Sequence, residues 1–189
     1  MKTVVEVSNN WGALQSHRFF IELMIMDCTF KTDEGKFNYR VGALIRDGNR
    51  ILMARNSAER EGTYYSVGGR VQYGESLEEA ILRELREETG LDCEVERLCA
   101  IHENFFTAIN GVPYHEFSSY FLVKMTDEIR AIPSGHGTTG GPSDEYLQWI
   151  DLNELDDITI FPEFFVTTDF TKETGIVHFV SRNEVCVRQ

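Results

Sequence analysis

The amino-acid sequence predicts a layered α/β fold with a mixed sheet, on three observations. Two β-like runs flank an Asp47-Gly48 turn, a long amphipathic helix follows between Ser76 and Gly90, and strand-like segments resume beyond it. Strands interleaved with helices favour packed α/β layers over a helical bundle or a sandwich of sheets. The chain of 189 residues suits one compact domain, and its 42% apolar and 26% charged residues are those of an ordinary globular protein.

Each element has its own signal. From Tyr39 to Asn56, RVGALIR and RILMARN surround Asp47-Gly48-Asn49, and Asp-Gly between apolar runs marks a hairpin. A third strand, Tyr64 to Val67, meets Gly68-Gly69, where the backbone can turn sharply or approach a ligand closely. Ser76-Leu77-Glu78-Glu79 reads as a capping box and Gly90 as a stop, so a helix is predicted over 77–89. Strands follow at Glu94 to Phe106 and Tyr114 to Met125, joined by a turn at Asn110-Gly111. Residues 133–143, PSGHGTTGGPS, predict a mobile loop. Beyond it come a strand at Tyr146 to Asp151, a helical turn at Asn153 to Asp157, a short helix opened by Pro162, and a last strand at Ile176 to Ser181. There is no internal repeat.

A formal net charge of -13 disfavours polymeric nucleic acid, whose partners neutralise phosphates with clustered Lys and Arg. A small phosphorylated substrate remains open if cations bridge acidic groups to phosphates. Cys28, Cys93, Cys99 and Cys186 show no CxxC pair, which predicts a reduced cytoplasmic protein. The start lacks the apolar core of a signal peptide, and the run Phe19 to Met26 is broken by Glu22, so no membrane association is expected.

The acidic excess concentrates in residues 75–96, where nine Asp and Glu face only Arg83 and Arg86. At 100° per residue from Leu77, Ile81 lies at about +40°, Leu85 at about +80° and Ala80 at about -60°, which defines the buried stripe. Glu84 falls at about -20°, Glu88 at about +20° and Glu87 at about -80°, so three carboxylates occupy or border the apolar face. Carboxylates crowded in this way repel one another and lose hydration. A hard divalent cation compensates well, because Mg²⁺ takes oxygen ligands, keeps waters and bridges to phosphates. Arg83 is the competing compensator, better placed to clasp Glu75 in the preceding loop. The bland alternative is a solvated acidic face without metal.

Gly69, five residues, Glu75, seven residues, then Arg83-Glu84-Leu85-Arg86-Glu87-Glu88-Thr89-Gly90-Leu91 resembles the complete box of the Nudix hydrolases. The likeness in strand and helix order extends from Tyr39 through Val180. It implies a Nudix-type α/β/α sandwich with the box as loop-helix-loop, spanning residues 26–189, and leaves 1–25 as an extension of unknown role. It further implies Glu84 and Glu88 as main ligands of Mg²⁺ or Mn²⁺, joined by Glu87 and the Gly69 carbonyl, with Arg83 and Glu75 as a structural pair. The reaction implied is attack of water on phosphorus. The proton acceptor varies within the family; Glu145 is the candidate for extra ligand or base, and Asp144 the alternative.

The substrate expected is a small nucleoside diphosphate derivative, such as a nucleotide-sugar or a nucleoside triphosphate. Arg40, Arg55 and Arg70 are candidates for phosphate contact. Tyr64, Tyr65, Phe105 and Phe106 can stack a base, although strand aromatics more often pack a core. His102, His115 and His136 lack zinc-site spacing. Thr107, Ala108 and Ile109 stand where Nudix hydrolases of ADP-ribose carry a proline and those of dinucleoside polyphosphates a tyrosine, and Val67 stands where many relatives have proline. A homodimer is open, and a nucleotide sensor on the same fold is the alternative to an enzyme, one that needs no full metal cluster.

Overall fold

The computed structural model describes residues 26–57, 60–108, 110–138 and 145–183. Residues 1–25, 139–143, Asp144 and Cys186 therefore lie outside the description. Among the described residues, ten strands form one mixed sheet. The hairpin of β2 (Lys36–Asp47) and β3 (Arg50–Asn56) turns at Gly48, whose φ of 60° provides the positive first position that a tight hairpin turn requires. On one edge β2 pairs parallel with β6 (Pro113–Val123), and on the opposite edge its residues 36–38 pair antiparallel with β1 (Thr29–Lys31). Next to β6 lies antiparallel β5 (Val95–Thr107), then parallel β10 (Val177–Asn183) at the edge. On the other side, β3 pairs with β4 (Thr63–Tyr65) and β8 (Glu145–Asp151); β9 (Thr159–Phe161) extends β4, and β7 (His136–Gly137) extends β8.

Alternation along the strands gives the sheet two apolar faces. Val41, Ala43, Ile45, Leu52 and Ala54 pack beneath Ala80, Ile81 and Leu85 of α1 (Leu77–Thr89). Leu44, Ile51 and Met53 pack on the opposite face with Phe164 and Phe165 of α3 (Phe164–Thr167). The result is the expected α/β/α layering, with one layer supplied by a long helix and the other by a single helical turn.

The hairpin register holds only over Ile45↔Leu52 to Asp47↔Arg50, after which β2 and β3 diverge. The gap is filled by the segment after β4. Val41 N–H donates to Gly69 O at 2.9 Å, Ala43 N–H to Val67 O at 2.8 Å, and Val71 N–H to Tyr39 O at 3.0 Å. This segment runs along β2 as a near-strand, and it carries the two glycines onto the sheet.

Several sequence expectations change. Asn153 to Asp157 form turns rather than a helical turn, because Asp157 adopts φ 61°, outside the helical region. Pro162 precedes α3 instead of opening it, and the residues just before it form β9. The strand expected to end at Val67 stops at Tyr65, Val67 making an isolated bridge to Ala43. β6 stops at Val123, short of Met125, and a helical turn, α2 (Asp127–Arg130), follows, capped by the Thr126 hydroxyl. Within the expected loop, His136 and Gly137 pair with β8.

The Ser76 hydroxyl accepts the Glu79 N–H at 3.2 Å and the Glu79 carboxylate takes the Ser76 N–H at 2.8 Å, closing the capping box. Replacing Ser76 with Ala should therefore lower stability by about 1 kcal/mol, while Leu85→Ala, fully buried in the α1 core, should cost about 2–5 kcal/mol. Urea unfolding checks both, and equal effects from the two would contradict this account of the helix.

Candidate active site

The site forms where α1 faces the segment 67–71. Gly68 has φ 138°, and a Cβ on it would overlap the Val41 carbonyl; a Cβ on Gly69 would overlap the Glu84 carboxylate. Gly68 thus requires glycine on both backbone and steric grounds, whereas a side chain at Gly69 would displace the Glu84 carboxylate that packs against it. Glu88, only 7% exposed, accepts the Gly68 N–H on Oε1 at 2.9 Å, while its buried Oε2 has no hydrogen-bond partner.

Arg83 holds this arrangement together. Its Nη2 and Nε donate to the two Glu75 oxygens at 2.7 and 3.1 Å, and Nη2 also donates to Arg70 O at 3.0 Å. Glu75 in turn accepts the Gln72 N–H at 2.6 Å, so the loop is tied to the helix. Arg83 does more than clasp the loop: Nη1 reaches Glu84 at 2.8 Å and Glu87 at 3.4 Å. The Glu75 carboxyl, pulled upward by burial, is held below its usual range by Arg83 and the Gln72 amide. Arg83 stays charged throughout, chiefly through Glu75.

Glu84 and Glu88 shift the opposite way to Glu75. Burial pushes Glu84 up despite Arg83. Burial pushes Glu88 up to about 8, against the Gly68 amide, and the charges of Glu145 and Glu84 push in the same direction. Glu145 begins β8 opposite Asn56, and this electrostatic link ties it to the box. Glu87 is more exposed, at 47% of its side chain.

The arginines separate. Arg40 lies beside the loop, with Nη2 at 3.5 Å from Gly68 O and Nη1 at 3.9 Å from Glu116. Arg70 is opposite Arg40 but reaches Asp27 at 3.1 Å. Arg55 is turned onto Tyr146, donating to its hydroxyl at 2.6 Å. In the register of β3 and β8 that places Arg55 on the sheet face opposite Glu145. Asn38, Glu116 and Tyr146 were not singled out from the sequence, since only strand pairing brings them beside Arg40 and Arg55.

An open hollow of about 570 Å³, lined by Phe37, Phe105, Tyr114, His115 and Arg182 among others, lies at the outer ends of β2, β5 and β6. It includes none of the box carboxylates.

A family model described as the NUDIX domain matches residues 36–167. The chain belongs to the NUDIX family. Among NUDIX relatives, an ADP-ribose pyrophosphatase of Methanocaldococcus jannaschii is 35% identical over 115 residues, covering 60% of this chain and 61% of that one. A mitochondrial NAD(P)H pyrophosphatase of Homo sapiens is 47% identical over 51 residues, 27% of this chain and 14% of that one. The chain spans less than two thirds of the length of either. The CTP pyrophosphohydrolase of Escherichia coli is 28% identical over 116 residues, 60% of this chain and 76% of that one. A NUDIX hydrolase structure from Nitrosomonas europaea superposes with a TM-score of 0.52 at 14% identity, over 81% of each chain, which bears on the fold alone.

Among the described residues no three His, Cys, Asp or Glu side chains converge as a ready-made metal cluster. Glu84 is turned toward Arg83, and Glu88 toward the Gly68 amide. The donor chemistry nonetheless fits a hard dication: all-oxygen ligands, two desolvated carboxylates, and one buried carboxylate oxygen lacking any donor. The Gly69 carbonyl keeps one lone pair beyond its bond from Val41 N–H.

A carboxyl whose pKa is raised on folding keeps a proton that the unfolded chain has released. Between the unfolded value of about 4.3 and about 8, stability of the metal-free protein should therefore fall as pH rises. Thermal melts from pH 5 to 9 in EDTA should show this decline, and Glu88→Gln should flatten it. A wild-type profile parallel to that of Glu88→Gln would contradict the burial of an ionisable Glu88.

Proposed function

We propose that this protein is a divalent-cation-dependent hydrolase that breaks a phosphoanhydride bond in a small nucleoside diphosphate derivative. The observation that carries the reading is the partnerless, buried Oε2 of Glu88 beside Glu84, beneath a glycine pair that leaves the backbone bare. An apolar or neutral substrate would give no return for desolvating two carboxylates side by side. The names of the relatives, which act on ADP-ribose and CTP, support a nucleotide, and the net charge of -13 supports a small molecule over a polymer.

Glu84 and Glu88 would hold Mg²⁺ or Mn²⁺, with Glu87 and the Gly69 carbonyl completing the set. When bound, the cation supplies Lewis acidity to the phosphate oxygens and eases deprotonation of water. Arg83 keeps the loop fixed against the helix through Glu75 and offers Glu84 an alternative charge partner in the metal-free state. Arg40, next to Gly68 O, binds the diphosphate from the other side of the loop. Water oxygen forms a bond to phosphorus, the bridging P–O bond breaks, and the departing phosphate carries away the electron pair. The water proton passes to a carboxylate, for which Glu145 is the candidate. Arg55 and Arg70 would meet the phosphates only after leaving Tyr146 and Asp27.

The test is hydrolysis of nucleoside triphosphates, ADP-ribose and nucleotide-sugars with Mg²⁺ or Mn²⁺. Turnover should vanish in EDTA, and Glu88→Gln should lower kcat by roughly 1,000-fold, the order of loss when a group stabilising transition-state charge is removed. Glu145→Gln should lower kcat with a smaller change in KM. Tight nucleotide binding with no turnover of any compound would replace the enzyme with a sensor.

A further inference from the structure

Strand pairing builds a polar row across the sheet face that carries Arg40. Asn38 on β2 stands opposite Glu116 on β6, Glu116 opposite Asn104 on β5, and Asn104 opposite Ser181 on β10. Directly paired residues share a face, so the four side chains form one band. The band lies two residues outward from Arg40, about 6.6 Å along the strand. That is on the order of the reach from a nucleotide's α-phosphate to its ribose hydroxyls.

The band is a poor internal match for itself. Glu116 accepts the Asn38 amide on Oε2 at 3.3 Å and stands 3.9 Å from Arg40, which leaves Oε1 without a donor among the described residues. The Asn38 carbonyl oxygen already takes the Thr29 hydroxyl at 2.8 Å. Asn104 Oδ1 is buried and has no partner. Buried acceptors are ordinarily satisfied, so the buried Asn104 Oδ1, with Glu116 Oε1 across from it, presents acceptors to a ligand that brings donors. Two residues farther out on the same face, Phe106 and Tyr114 stack at 5.0 Å with an interplanar angle of 12°, and Lys36 lies over the Tyr114 ring at 5.5 Å. These three residues line the open hollow. From Arg40 outward the face reads cation, paired acceptors, aromatic step.

We propose that this face is the nucleoside track of the active site, in which Glu116 and Asn104 accept hydrogen bonds from the ribose 2′- and 3′-hydroxyls, making the protein selective for ribonucleotides over 2′-deoxyribonucleotides. The proposal rests on the hydrolase reading of the box, and goes beyond it by assigning the sugar. A cis-diol supplies two adjacent donors to two adjacent acceptors, and a 2′-deoxyribose leaves one acceptor without its donor. Hydrogen bonds of this kind to a charged acceptor discriminate by roughly 10- to 100-fold.

The experiment is calorimetric binding of the four ribonucleoside 5′-diphosphates and their 2′-deoxy counterparts, each with Mg²⁺, to the full chain. At least one base should show a ribo form bound 10-fold or more tightly than its deoxy form. Glu116→Ala and Asn104→Ala should each bring that ratio toward unity, with Glu116→Gln retaining part of it. Equal affinity of ribo and deoxy forms in the wild type would overturn the track while leaving the hydrolase reading intact, and that result needs no variant to fold. A wild-type preference unmoved by Glu116→Ala and Asn104→Ala, both shown folded by circular dichroism, would also overturn it. Failure of every diphosphate to bind would sink the reading of the site itself.

Discussion

The rest of the structure is arranged around two carboxylates that the fold removes from water. Glu84 and Glu88 lie on the face of α1 that also buries Ala80, Ile81 and Leu85, and they meet a backbone stripped of side chains at Gly68 and Gly69. Desolvating carboxylates side by side costs several kcal/mol in the absence of compensation. The protein supplies partial compensation: Arg83 for Glu84, one amide for Glu88, and a proton retained on Glu88 to a pH of about 8. What is left over is a buried carboxylate oxygen with nothing to bond, the demand that the cation of the proposed reading would meet.

The sheet makes that demand possible. β2 and β3 part after a short hairpin, and the segment 67–71 enters the gap and hydrogen-bonds to β2, so the glycines are fixed to the central strand rather than suspended in a loop. Apolar cores on both faces hold β2 rigid beneath them. Arg83, tied to Glu75 and Arg70 O, fixes the distance between loop and helix. The same alternation that sends Val41 to the α1 core sends Arg40 to the other face, so the cationic group and the acidic pair lie on opposite sides of one glycine-lined edge.

What was legible in the sequence was local. The capping box, Gly90 as a stop and the angular positions of Glu84, Glu87 and Glu88 follow from spacing within one helix, and the helix spans the residues that spacing predicted. The Asp47-Gly48 hairpin follows from one turn. Features set by partners far along the chain were not legible: Asn38 and Glu116 are 78 positions apart, and only the parallel pairing of β2 with β6 joins them. The helical turn expected at Asn153 to Asp157 is broken at Asp157, whose φ of 61° lies outside the helical region. The arginines were read as equals, yet Arg55 and Arg70 have protein partners on which sequence is silent, and Arg40 alone touches the glycine loop.

The most direct test of the central claim is anomalous diffraction from crystals grown with Mn²⁺. The account predicts a manganese peak within about 2.0–2.3 Å of Glu88 Oε2 and a Glu84 oxygen, with the Arg83–Glu84 contact loosened and the Arg83–Glu75 pair retained. Manganese bound elsewhere, with Glu88 Oε2 still lacking a partner and Glu84 still held by Arg83, would contradict it.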